Sequence, residues 1–201
     1  MPVSHISSQL TELVGSRICH DLISPLGAIS NGVELMSMSG GNAGPEMSLI
    51  SESVENANAR IRYFRIAFGA ARAGQQVSVS EINAILRDLS RGGRLVTDWQ
   101  TGDDPGRPEV KLAFLLLQCF ETAMPWGGRI TVTSVGDQWA IHGEARQMKA
   151  VPELWQVLNS DDKDNTIQPA NVHFPLARLT AENLNRSLTV EISENSARVR
   201  F

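Results

Sequence analysis

The stretch Arg17-Ile-Cys-His-Asp-Leu-Ile-Ser-Pro-Leu-Gly-Ala-Ile29 decides the architecture of the first third of the chain. Leu22, Leu26 and Ile29 recur at steps of four and three, and Val33 and Met36 continue the rhythm. That spacing places them on one stripe of a helix. Upstream, Ile6, Leu10, Leu13 and Ile18 extend an apolar face with some drift. Downstream, Ser39-Gly-Gly-Asn-Ala-Gly-Pro45 breaks the pattern with the composition of a turn. In the helix predicted after it, Ile50, Val54, Ala57, Ile61, Phe64 and Phe68 again alternate steps of four and three. Such spacing suits helices packed nearly parallel in a bundle. One hairpin cannot enclose its own stripe, so a four-helix bundle built by two copies, a homodimer, is the expected assembly.

The same stretch carries the chemistry. At about 100° per residue, His20 lies roughly 160° around the helix from Leu22. With the stripe turned inward, His20 turns to solvent. Ser16, Arg17, Ser24, Gly27 and Asn31 share its outward face, and most are small and polar. They leave room for another protein's active site to reach the imidazole, while Ile23, near the same face, offers an apolar docking contact. Exposure alone favours an ordinary surface histidine. Pro25 shifts the weighing, because it has no N–H for the carbonyl of Asp21 and its ring crowds that group. A kink is expected within a turn of His20, at a cost of about 3 kcal/mol for an interior proline. Its use is either functional or purely structural.

The character of the chain changes at Ala70-Ala-Arg-Ala-Gly-Gln-Gln76, a linker, which separates a hairpin unit (1–74) from a second unit (75–201). Ser80 is expected to cap a helix with Ile82, Ile85, Leu86 and Leu89, stopping at Gly92 and Gly93. Leu95–Trp99 reads as a short strand, and an apolar helix spans about Glu109 to Met124. Further strands are RITVTSV (129–135), QWAIHG (138–143), LTVEIS (188–193) and SARVRF (196–201), the last with Ala197, Val199 and Phe201 on one side. Helices are expected around Pro152–Leu158 and Pro169–Leu184. The fold class is α+β: a helical hairpin followed by an α/β sandwich, a sheet with helices on one face.

Composition narrows the function. The 201 residues are 42% hydrophobic and 20% charged, with a net charge of −4. No basic block stands out, which disfavours nucleic-acid binding. No apolar run approaches the roughly 18 residues of a membrane span. The N-terminus lacks a basic region followed by an apolar one, so no secretion signal is expected and the cytoplasm is the expected location. Cys19 and Cys119 lie too far apart in sequence to suggest a disulfide framework or zinc site, and each is expected to be buried or inert. His5, His142 and His173 lack the acid-and-proline context of His20 and are expected to be structural or surface residues. Trp99, Trp126, Trp139 and Trp155 are assigned to core packing.

The segment HDLISPLGAI resembles the phosphoacceptor box of bacterial sensor histidine kinases: a histidine, an adjacent acid, a proline five residues on, then an apolar continuation. More closely, RICHDLISPLGAI and FRIAFGA (Phe64–Ala70) resemble the ChpT-type histidine phosphotransferases. The resemblance implies a homodimer whose paired hairpins form a four-helix bundle, each subunit carrying a degenerate kinase ATPase-like domain. It implies transfer from the receiver domain of a hybrid histidine kinase to response regulators, with His20 as phosphoacceptor and Asp21 orienting its ring. Arg17 is then either a residue that steadies phosphate charge or a solubilising surface charge. Ser24 and Asn31 either hydrogen-bond a docked partner or are plain surface residues. Arg65 falls in the family stretch with no assigned role, an intrahairpin salt bridge being one option. Mg²⁺ is expected from the partner receiver, and this chain is expected to hold no cofactor or metal.

Three departures separate a relay from a kinase. Counting back from Gly127 and Gly128, the metal-binding asparagine of the kinase box falls on Cys119, and Mg²⁺ prefers oxygen ligands. After QWAIHG comes Glu144-Ala-Arg-Gln-Met148 rather than Asp-x-Gly-x-Gly. The region Asp164–Ser193 contains no glycine with which to wrap phosphates. ATP binding is therefore not expected. Two alternatives stay open: an ATP-dependent histidine kinase with an unusual nucleotide site, and a non-catalytic dimeric adaptor for receiver domains.

Overall fold

A computed structural model describes residues 3–38, 45–91, 93–159 and 167–201. The turn expected over 39–44, the helix stop at Gly92, and the side chains of His5 and Ile6 lie outside the described residues. Helix α1, Val3–Met38, runs as one element with Pro25 inside it. Helix α2, Pro45–Ala67, starts on a proline whose missing N–H costs nothing there. The two pack through Pro25 and Gly32, both buried. A Cβ on Gly32 would stand 2.6 Å from Ile50 Cγ1, so glycine is what permits this approach. Pro25 thus serves the hairpin's inner face, and Leu26 and Val33 of the apolar stripe are left exposed on the single chain.

The end of α2 does not stand apart from the second unit. Tyr63, Phe64, Ile66 and Ala67 are buried in the same core as the sheet. Beyond the linker, α3 (Val79–Ser90) is capped by Ser78 rather than Ser80: the Ser78 hydroxyl accepts from the backbone N of Glu81 at 3.1 Å. Ser78-x-x-Glu81 has the capping-box spacing, which starts the helix early enough to take Ser80 inside its first turn. Strand β1 (Leu95–Gln100) leads to α4 (Arg107–Ala123). Arg107 donates to the carbonyls of Arg65 and Ala70, and Lys111 to that of Gly69, at 2.9–3.0 Å. Two cations of α4 thereby satisfy carbonyls at the C-terminal end of α2.

Strands β2 (Gly128–Val135) and β3 (Gln138–Glu144) form a hairpin, as do β4 (Thr189–Ile192) and β5 (Ser196–Arg200). The sheet order is β1-β2-β3-β5-β4, with β1 and β2 parallel and the other neighbours antiparallel. Helix α5 covers Pro152–Gln156. The single helix expected from Pro169 is divided into a 3₁₀ turn, Pro169–Asn171, and α6, His173–Asn183. Ile130, Val132, Ile141, Ala197 and Val199 alternate inward along their strands and, with Phe201 just beyond β5, share one core with α4, which is buried at every residue from Leu112 to Phe120.

Two expectations about burial are corrected. Trp99, Trp139 and Trp155 are core residues, but Trp126 is exposed, carried outward on the tight turn where Gly127 adopts φ +90°. Cys119 is buried, whereas Cys19, next to His20 on the outward half of α1, is exposed.

His173 is fully buried. The Thr122 hydroxyl donates to the Gln118 carbonyl, so it accepts from His173 Nε2 at 3.1 Å, and Nδ1 has no hydrogen-bond partner among the described residues. Burial, helped by the charge of Arg17, lowers the His173 pKa to about 3. An unfolded histidine titrates near about 6.5, so between that value and 3 the unfolded chain binds the extra proton. The contribution of His173 is complete above that window and is lost as pH falls through it, by at most about 5 kcal/mol. Urea unfolding at pH 7, 5 and 4 should show this loss, and His173→Gln should flatten it. An identical pH dependence in the variant would dismiss the assignment.

Candidate phosphoacceptor site

His20 projects from the outward half of α1 with its side chain 84% exposed, while that of Asp21 is 9% exposed. Although adjacent helical side chains diverge by about 100°, Nδ1 of His20 lies 3.1 Å from Oδ1 of Asp21. In the tautomer that donates from Nδ1, the lone pair of Nε2 is free and faces solvent. The other carboxylate oxygen, Oδ2, accepts from Nε of Arg17, one turn back, at 2.7 Å. Arg17 is itself held, since its Nη1 donates to the carbonyl of Ala170 at 2.5 Å. A chain of three contacts therefore runs from the imidazole through Asp21 and Arg17 to the 3₁₀ turn of the second unit.

Ser16, Ile23, Ser24, Gly27 and Asn31 are all exposed. Below His20, Ser24, Pro25 and Ala28 form one wall of a groove of about 650 Å³, and Leu49, Ser53 and Asn56 of α2 form the other. Asp88 and Arg91 at the end of α3 complete it, tied to α2 by Arg62–Asp88 at 2.5 Å and Arg91–Glu55 at 2.6 Å. The sequence reading missed these α2 and α3 walls. No local signal marks them, because only the folded hairpin brings them beside α1.

Arg65 pairs with Glu81 of α3 at 2.7 Å, which corrects the intrahairpin option to a contact between hairpin and second unit. Cys119, the position that the count back from Gly127 and Gly128 matched to the kinase asparagine, is buried. Its thiol lies 3.5 Å from the Leu115 carbonyl, and burial pushes its pKa well up. Among the described residues no group of three or more His, Cys, Asp or Glu is placed to hold a metal ion.

A family model, the histidine phosphotransferase C-terminal domain, matches residues 79–196. The chain belongs to the histidine phosphotransferase family and is an enzyme of phosphoryl transfer in a phosphorelay. It is similar to the protein phosphotransferase ChpT of Brucella abortus (strain 2308), 32% identical over 197 residues that cover 94% of this chain and 93% of that protein. The solved structure of a bacterial phosphotransferase superposes with a TM-score of 0.81 at 29% identity, covering 96% of this chain and 95% of its own.

Proposed function

We propose that His20 is the phosphoacceptor of a homodimeric relay protein, which takes the phosphoryl group from the aspartate of one receiver domain and gives it to another without using ATP. The observation that carries this reading is the His20–Asp21 pair, with Nδ1 engaged at 3.1 Å and Nε2 open to solvent. In the forward step Nε2 attacks the phosphorus of the receiver's aspartyl phosphate in line, and the P–O bond to the aspartate breaks. The ring then carries positive charge with the proton still on Nδ1, and the Asp21 carboxylate stabilises it. Return to a second receiver reverses the step. Magnesium belongs to the receiver, where it neutralises phosphoryl charge.

The exposed surround of Ser16, Ile23, Ser24, Gly27 and Asn31, with the groove beneath, is the receiver-docking face. Arg17 acts by holding Asp21 rather than by reaching the phosphate. Residues 1–74 are the dimerisation and transfer unit, and residues 75–201 a degenerate ATPase-like unit. The proposed location is the cytoplasm; among the described residues no helix is long and apolar enough to cross a membrane.

The test is a labelling experiment with the full chain. Mixed with a phosphorylated receiver, the protein should acquire an acid-labile, alkali-stable phosphohistidine at His20, and ATP with Mg²⁺ should give none. Label from ATP would instead identify a kinase. Receiver binding with no movement of label would identify an adaptor.

A further inference from the structure

Directly behind the His20–Asp21 pair lies a polar chamber of about 60 Å³. Its walls include Arg17 and Asp21 of α1, Arg60 and Tyr63 of α2, and Gln118 and Glu121 of α4. Several of these polar groups are already engaged. The Tyr63 hydroxyl donates to the Phe114 carbonyl at 2.5 Å, Arg60 Nε donates to Asn56, and Arg17 is divided between Asp21 and Ala170. Gln118 differs. It is 2% exposed, yet among the described residues neither its amide nitrogen nor its amide oxygen makes a hydrogen bond of normal length, its polar neighbour being the Tyr63 hydroxyl, whose proton is already given to Phe114. A buried amide is ordinarily satisfied by protein or by ordered water. Water occupies roughly 30 Å³ per molecule and binds where two to four polar partners converge, so a chamber of this size and lining suits about two molecules.

We infer that Gln118 is a positioning residue for phosphotransfer. Its amide binds water in this chamber, and the water hydrogen-bonds the Asp21 carboxylate from behind. Each oxygen of that carboxylate already accepts one bond, from His20 or from Arg17, and has a second lone pair to offer. The water fixes the carboxylate plane, and the carboxylate fixes the imidazole. By this route α4 of the second unit, which has lost the asparagine of a kinase one position away at Cys119, takes part in setting up a histidine on α1. The inference rests on the proposed role of the His20–Asp21 pair.

Gln118→Met keeps the volume and removes the amide. Single-turnover transfer from a phosphorylated receiver should slow by about tenfold, as displacement of a catalytic group from its working geometry does. Its dependence on receiver concentration should stay within about twofold, because docking is untouched. Nitrogen-15 spectra of the His20 ring should show the Nδ1–H tautomer losing population, a change that a purely structural glutamine would not cause. In the wild-type protein, the Gln118 side-chain amide protons should show an Overhauser effect to long-lived water, a measurement independent of whether the variant folds. Absence of that effect, or unchanged transfer and tautomer in a folded variant, overturns the inference. Asp21→Asn is run in parallel. If it slows transfer and Gln118→Met does not, the inference about Gln118 falls alone; if neither slows transfer, the Asp21 reading falls with it.

Discussion

His20→Gln should accept no phosphoryl group from a phosphorylated receiver, and Asp21→Asn should accept it about 10²- to 10⁴-fold more slowly. Glutamine has no basic nitrogen, so the first change removes the nucleophile and leaves nothing to measure above hydrolysis of the receiver itself. The second is subtler. An amide in place of the Asp21 carboxylate can turn either its oxygen or its NH₂ toward Nδ1. Turned the second way it selects the tautomer with the proton on Nε2, where the phosphoryl group must arrive. It also withdraws the negative charge that offsets the cationic ring after transfer. A wrong-tautomer penalty of about this size has precedent in an aspartate-to-asparagine change behind a catalytic histidine. Folding should be nearly unaffected by His20→Gln, because the side chain is exposed and surface changes of this kind move stability by about 0.5 kcal/mol or less. Asp21→Asn also loses the ion pair with Arg17, so its melting temperature is the control that separates chemistry from folding. Rapid-quench transfer assays with phosphate-affinity gels provide the rates. Undiminished label on His20→Gln would place the acceptor elsewhere.

The elements legible in the sequence were those whose side chains repeat. The steps of four and three in α1 and α2 identified both helices, and alternation located β2, β3, β4 and β5 to within a residue or two. His20 was placed outward by the same periodicity, and it is outward. What periodicity cannot carry is the identity of a partner far along the chain. Arg17 reads equally well as a surface charge or a phosphate contact until Ala170, 153 residues away, is brought beside it. Arg65 finds Glu81 in α3 rather than a mate within the hairpin for the same reason. Pro25 could be recognised as unusual from its place in a helix, but not that it faces α2, because the stripe and the inter-helix contact are different sides of α1. Trp126 shows the reverse failure: a large apolar residue suggests a core, and a glycine turn overrides it. The groove proposed for docking, built from α1, α2 and α3 together, has no signature in any one of them.

The difference between stripe and contact leads to the second large effect: Leu26→Glu with Val33→Glu should convert the proposed homodimer into a folded monomer. With Pro25 and Gly32 directed at α2, Leu26 and Val33 sit about 80–100° around α1 to one side, while His20 sits about 140° around to the other. On α2, with Ala57 directed at α1, Met47, Val54 and Ile61 all rotate to one common side. These five side chains are between 41% and 57% exposed on the single chain, Leu26 at 57%, Val33 at 54% and Ile61 at 51% among them. Monomeric soluble proteins rarely leave such a face uncovered. A second hairpin laid on it would complete a four-helix bundle and leave both copies of His20 accessible. Burying each Leu or Val contributes about 1.5–3 kcal/mol, and two-fold symmetry counts every substitution twice. Two glutamates per copy, facing their symmetry mates, should therefore weaken association by at least about 10³-fold, roughly 4 kcal/mol. Sedimentation velocity across a concentration series reads this directly, with far-UV circular dichroism to verify that the helices persist. Because Pro25, Gly32 and Ile50 still hold the hairpin closed, the monomer should keep its own fold. A variant as dimeric as the parent, or a parent that sediments as a monomer, would show that something other than a second copy covers this face.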